Sequence, residues 1–196
     1  MAWDTEGTRR RLKEAATAEF AERGLEGTTM TRIAERAGIN KERLYSYFGD
    51  KQALWETVLG DELERLARAV GVRGVGLDDI GEFAGATYDY HARHPELARL
   101  LQWEGLGHAP AADAERRSAH YRDKIEHIRR AQGDGELDDR LAADHLVFAL
   151  IALAAWWQTV PQLAQMITGA DGGDTTERER RRTFVVEAAR RLATPR

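Results

Sequence analysis

The chain has 196 residues, 42% of them hydrophobic, which is enough to bury a real core in one ordinary domain or in a small domain fused to a larger one. It contains no cysteine, so a disulfide framework, a thiolate metal site and a cysteine nucleophile are excluded, and no uninterrupted apolar run approaches the roughly 18 residues of a membrane span. The net charge of -4 gives no global reason to expect nucleic acid. The first 56 residues carry ten Lys/Arg against ten Asp/Glu, so any charged face there comes from segregation of charge in space and not from its total. Four prolines and an abundance of Ala, Leu, Glu and Arg predict an all-α fold. The polar start, Met1-Ala2-Trp3-Asp4-Thr5-Glu6, lacks the apolar centre of a signal peptide, and a cytoplasmic location is expected.

In chain order, Leu12, Ala15, Ala16, Glu19 and Phe20 trace an i, i+3, i+4 stripe on a first helix over about 8–23 that ends at Gly24. Thr28 or Thr29 can cap a short helix holding Ile33, Ala34 and Ala37. Gly38 then fits a left-handed turn, Asn40 caps a third helix through Tyr47, and Asp50 caps a long fourth over about 51–70. Residues 71–76 are a Gly-rich linker. A fifth helix over about 78–93 places Ile80, Phe83, Ala84, Thr87, Tyr88 and His91 on one face, and Pro95 starts a sixth. After a loop over 105–113, a seventh helix spans about 114–132 and an eighth about 138–157, with a break or kink expected at Pro161. Beyond a loop over 169–174, Thr176 and Glu179 form a capping box for a last helix with Phe184, Val185, Ala188, Ala189 and Leu192 on one face.

Two short helices joined by a Gly-containing turn and braced by a longer one can place the second in the major groove. Here Lys41, Glu42 and Arg43 have the chemistry for base edges, since arginine forks onto guanine and a carboxylate accepts from the cytosine amino group. Tyr45, Tyr47 and Lys51 can reach phosphates, and Arg9, Arg10 and Arg11 form either a basic arm or a solvated helix start. Leu12, Phe20, Ile33, Ala34, Leu44 and Phe48 read as the core of this unit.

The string Thr28-Thr29-Met30-Thr31-Arg32-Ile33-Ala34-Glu35-Arg36-Ala37-Gly38-Ile39, then Leu44-Tyr45-Ser46-Tyr47-Phe48, Lys51 and Leu54, closely resembles the DNA-binding domain of the tetracycline-repressor (TetR) family. The resemblance implies a DNA-binding domain over 1–56 and a helical ligand-binding and dimerisation domain over 57–196. It also implies phosphate contacts from Thr29, Tyr45, Tyr47 and Lys51, and base contacts from Thr31, Lys41, Glu42 and Arg43. The family often has a small residue where Glu42 stands; a carboxylate there repels phosphate unless it reads a cytosine or pairs with Arg43.

A two-fold dimer reads two half-sites of double-stranded DNA, so an inverted-repeat operator and a homodimer are expected. The resemblance places the dimer interface on the eighth and last helices, and the eighth is apolar nearly all round from Leu146 to Leu153. Phe83, Tyr88, His91, Trp103, Tyr121, Phe148, Trp156 and Trp157 are the candidate lining of a site for a lipophilic or aromatic effector. No catalytic residue, cofactor or metal is expected. The family mechanism implies a two-state dimer, with the fourth helix as its lever. Two alternatives stand beside this: an enzyme using His91 with His94 or His120 with His127, and a partner-binding protein on a helix-turn-helix-derived fold.

Overall fold

The computed structural model describes all residues except 1–4, 72, 73, 75, 108–110 and 196; part of the polar start, of the predicted linker and of the loop over 105–113 therefore lies outside the described residues. Those described form ten α-helices and divide into two compact units. The division is not sequential. The first unit holds residues 1–65 and 96–114, the second 66–95 and 115–196.

The first unit contains α1 (Thr5–Gly27), α2 (Met30–Ala37), α3 (Lys41–Phe48), most of α4 (Lys51–Ala69) and nearly all of α6 (Pro95–Leu106). Leu12, Ala16, Phe20, Ile33, Leu44 and Leu54 are buried as one apolar core, each large side chain contributing about 1.5–3 kcal/mol by leaving water. Phe20 meets Trp55 edge to face at 5.2 Å. The regular part of α1 stops at Gly24, whose φ of 68° is left-handed, although an irregular turn carries the element on to Gly27.

Such a break leaves helix-end carbonyls in need of donors. From α6, Arg99 Nε donates to the Ala21 carbonyl at 2.7 Å and Trp103 Nε1 donates to the same oxygen at 3.2 Å. The indole covers Gly24 so closely that an added Cβ would lie 2.8 Å from Trp103 Cδ2. These contacts join α6 to the end of α1 within the first unit.

The second unit contains α5 (Leu77–Arg93), α7 (Ala114–Gly133), α8 (Ala143–Thr159), α9 (Pro161–Thr168) and α10 (Thr175–Ala193). The predicted inner face of α5 is buried throughout, from Ile80 to His91. α5 packs along α10 and α8. Gly81 and Gly85 permit this approach: a Cβ at Gly85 would come within 2.8 Å of Val186 Cγ2, and one at Gly81 within 2.9 Å of Arg190 Nε.

Three expectations change. α8 begins at Ala143 and not near Asp138, because the Asp138 N–H donates to the Ala193 carbonyl at 2.9 Å while its carboxylate accepts from Arg140, holding the segment as a loop against the end of α10. α10 is capped by Asp174, whose Oδ1 accepts the Glu177 N–H at 3.1 Å; Thr176 lies inside the helix and forms no capping box. The buried line of α10 is Glu177, Arg181, Val185, Ala189 and Ala193, leaving Phe184 and Leu192 exposed. Pro161 occupies the first turn of α9, which is bent by 88° from α8. Among the described residues no single helix is long and apolar enough to cross a membrane.

Gly24→Ala is expected to lower stability by about 1–3 kcal/mol, since the side chain would be strained at this φ and would press on Trp103. Denaturant melts of wild type and variant measure it; equal midpoints would refute the packing described for Gly24.

Candidate nucleic-acid interface

Each helix of the motif starts on a side-chain cap. Thr29 Oγ1 accepts the Arg32 N–H at 3.2 Å, Asn40 Oδ1 accepts the Arg43 N–H at 2.9 Å, and Asp50 Oδ1 accepts the Ala53 N–H at 2.8 Å. Gly38, with φ 63°, closes α2, while the Ile39 N–H donates to the Ala34 carbonyl at 3.0 Å. The turn between α2 and α3 is thereby fixed at both ends.

Leu44 and Phe48, one helical turn apart and both buried, anchor α3 from below. They leave Lys41 and Glu42 exposed on the first turn, with Arg43 half-buried beside them. Thr29 and Thr31 are exposed at the start of α2. Tyr45 is exposed, and the Lys41 ammonium lies 5.8 Å from its ring centroid. Tyr47 leans on Phe48, and the Arg9 guanidinium covers the Phe48 ring at 5.5 Å. Lys51 Nζ donates to the Thr28 carbonyl at 3.4 Å. All eight residues expected to meet DNA thus lie at least partly exposed on α2, α3 and the first turn of α4.

Glu19 is a group that apolar periodicity disguised. It sits in the stripe of α1 and is buried, accepting from Thr28 Oγ1 at 2.9 Å, Arg36 Nη1 at 2.9 Å and Arg32 Nε at 3.2 Å, with Arg23 Nε at 3.5 Å. Burial by itself raises a carboxyl pKa, but the hydrogen bonds from Arg36, Thr28 and Arg32 outweigh it and hold Glu19 below the usual range. Its neighbour Glu22 accepts from Arg36 Nη2 at 2.9 Å, which lowers its pKa as well.

The eight residues expected to line an effector site do not come together. Phe83, Tyr88 and His91 are buried on α5, and Lys124 of α7 places its ammonium 4.8 Å from the Phe83 ring. Trp157 is half-buried under the Arg181 guanidinium at 5.0 Å, and Tyr121 is half-buried on α7. Trp103 belongs to the first unit, where it serves the end of α1. Phe148 and Trp156 are 74% and 56% exposed, because the buried stripe of α8 is Leu146, Val147, Leu150 and Ala154. These three therefore do not line the interior of the second unit.

Tyr88 Oη and His91 Nδ1 are buried in that interior without a hydrogen-bond partner among the described residues. Burial raises the Tyr88 pKa and pushes the His91 imidazole down to about 4, the nearby His94 adding to the second shift. Arg181 is also buried, donating from Nε to Glu177 Oε1 at 2.8 Å and from Nη2 to the Ala170 carbonyl at 3.1 Å. The other histidines paired in the sequence reading serve elsewhere: the His94 ring packs on Tyr90 at 4.3 Å, and His127 Nε2 is 2.7 Å from the Gly74 carbonyl oxygen. Among the described residues no group of three His, Asp or Glu side chains is disposed to hold a metal.

Two short capped helices joined at a left-handed glycine, with exposed polar side chains on the first turn of the second, have the geometry of a helix-turn-helix DNA-binding unit. Residues 12–58 match the family description "Bacterial regulatory proteins, tetR family", and residues 79–191 match "Tetracyclin repressor-like, C-terminal domain". The chain belongs to the TetR family of transcriptional regulators. It is 40% identical over 194 residues to the HTH-type transcriptional repressor SCO4008 of Streptomyces coelicolor, covering 97% of each chain. It is 31% identical over 187 residues to the HTH-type transcriptional repressor Rv3405c of Mycobacterium tuberculosis, covering 94% of this chain and 88% of that one. The crystal structure of the transcriptional regulator SCO4942 of Streptomyces coelicolor superposes with a TM-score of 0.82 at 30% identity, over 95% of this chain and 98% of that one.

The buried His91 sets a pH dependence. Its folded pKa of about 4 lies below the ordinary 6.5, so its contribution to stability is complete above about pH 6.5 and is lost as pH falls towards 4. Between about pH 7 and pH 5 the loss is about 2 kcal/mol. Melts of wild type and His91→Phe across this range test it. The variant should show the flatter profile, and parallel profiles would place the pH sensitivity on other groups.

Proposed function

We propose that the protein is a repressor that binds an inverted-repeat operator as a homodimer, reads it with residues 1–56 and is released by a small lipophilic or aromatic effector. The observation that carries the DNA half is the first turn of α3, where the Asn40 cap and the buried Leu44 and Phe48 leave Lys41 and Glu42 exposed with Arg43 half-buried beside them. In this reading Arg43 forks onto a guanine, Lys41, Glu42 and Thr31 meet neighbouring base edges, and Thr29, Tyr45, Tyr47 and Lys51 hold phosphates. Repression is supported by the two relatives, both transcriptional repressors, and a cytoplasmic location follows from work on DNA.

Residues 57–196 supply dimerisation and effector sensing. The dimer reading rests on the exposed apolar side chains Phe148, Trp156, Phe184 and Leu192 of α8 and α10, which a second copy would cover as a four-helix bundle. The effector reading rests on Phe83, Tyr88, His91, Tyr121 and Trp157, an aromatic set with unpartnered polar atoms on Tyr88 and His91. An effector that binds better to the dimer unable to hold DNA shifts occupancy with a differential of about 1–3 kcal/mol. Because α4 contributes residues to both units, it is the element through which that preference would pass.

Selection of random duplex DNA by the purified protein at stated salt should enrich an inverted repeat. On that operator Arg43→Ala should cost about 1–3 kcal/mol of binding and relax the preference at one base pair of each half-site, with dimerisation unchanged. An unaltered operator affinity would remove Arg43 from base reading, and no enrichment by a folded dimer would overturn the operator reading.

A further inference from the structure

The first 56 residues have equal numbers of basic and acidic side chains, and part of that balance is spent inside the unit. Arg32 and Arg36 lie on α2, the helix that in this motif crosses the DNA backbone, and their side chains are 47% and 38% exposed. Both guanidiniums are already engaged. Glu19 takes Arg32 Nε and Arg36 Nη1, and Glu22 takes Arg36 Nη2.

A carboxylate and a phosphate compete for the same guanidinium geometry. We propose that Glu19 and Glu22 are specificity-determining residues, which occupy Arg32 and Arg36 as internal stand-ins for phosphate and so hold down binding to DNA of arbitrary sequence. The proposal rests on the DNA-binding reading and adds to it a reason for a carboxylate in an otherwise apolar stripe. Contacts to phosphate carry no sequence information and raise affinity for every duplex alike. Two arginines withheld from phosphate lower the non-specific background and leave the base-reading residues of α3 untouched, so the ratio of operator to random DNA rises. Glu19 is fit for this because its packing fixes its position while the hydrogen bonds from Arg36, Thr28 and Arg32 keep it ionised against the cost of burial, whereas an exposed carboxylate would move with its side chain. The rival account makes Glu19 a tie that only holds α2 on α1.

Salt titrations of the full-length chain separate the two. Wild type, Glu19→Gln, Glu22→Gln and Arg36→Gln are measured against a fluorescent mixed-sequence duplex and against the selected operator. Glutamine keeps the shape of Glu19 and can still accept from Thr28, and Glu22 is exposed, so at least the second variant leaves folding intact. Both Glu variants should bind the mixed duplex more tightly. Their plots of log affinity against log salt should steepen by about 0.9, which is about a threefold larger loss between roughly 50 and 200 mM salt. Operator affinity should rise less, lowering the ratio, and Arg36→Gln should leave the wild-type slope unchanged. Weaker binding to both duplexes at an unchanged slope in the Glu variants, or a shallower slope in Arg36→Gln, overturns the proposal. A wild type that binds neither duplex overturns the DNA-binding reading along with it, whereas salt-dependent wild-type binding with unmoved variants overturns this proposal alone.

Discussion

A helix of eight residues has almost no stability of its own in water, since nucleation fixes several residues before the hydrogen bonds begin to repay it. The DNA-binding unit depends on holding one such helix, α3, in a single orientation. Three interactions do this: the Asn40 cap at its start, the left-handed Gly38 that sets the turn before it, and the buried pair Leu44 and Phe48 beneath it. Remove any of them and the side chains on its outer turn lose their common direction, whatever their individual chemistry.

The bracing around that helix is more polar than its apolar pattern suggests. α1 is tied to α2 through the buried Glu19 carboxylate and to α6 through the Ala21 carbonyl that Arg99 and Trp103 share. Buried ions and helix-end carbonyls are costly when unpaired, so each becomes a point where geometry is specified closely. In this unit the same arginines that complete the fold are cations of the kind DNA would attract, which links packing of the core to electrostatics of the surface.

The second unit shows the opposite balance. Its helix α5 carries polar groups inward, and Tyr88 and His91 bury hydrogen-bonding atoms that have no partner among the described residues. Such groups cost roughly 1–3 kcal/mol each and are most easily understood where something else pairs with them. The exposed rings of α8 and α10 likewise represent apolar area that one copy leaves to water. In the proposed reading these are the features that an effector and a second copy would cover.

Much was legible in the linear sequence because it is local. Caps at Thr29, Asn40 and Asp50, the glycine turn at 38, the proline at the head of α6 and the 3.6-residue stripes of α1 and α5 all act within a few residues of chain, and the helices stand where those signals put them. The predicted apolar core of the helix-turn-helix is buried as expected. Periodicity failed where a stripe was ambiguous about its face. α8 is apolar on most sides, so spacing could not tell that Phe148 and Trp156 point outward while Leu146 and Leu150 point in, and α10 hides a buried Glu177–Arg181 pair that reads in sequence as solvated charge. Trp103 was misplaced, and the partners of Glu19 went unseen on a stripe that is buried as expected, for a related reason: those partners stand 82 residues away at Ala21 and 17 residues away at Arg36. Hydrogen bonding over a few residues of chain is written in the sequence, but which distant groups a side chain meets is decided only when the helices pack.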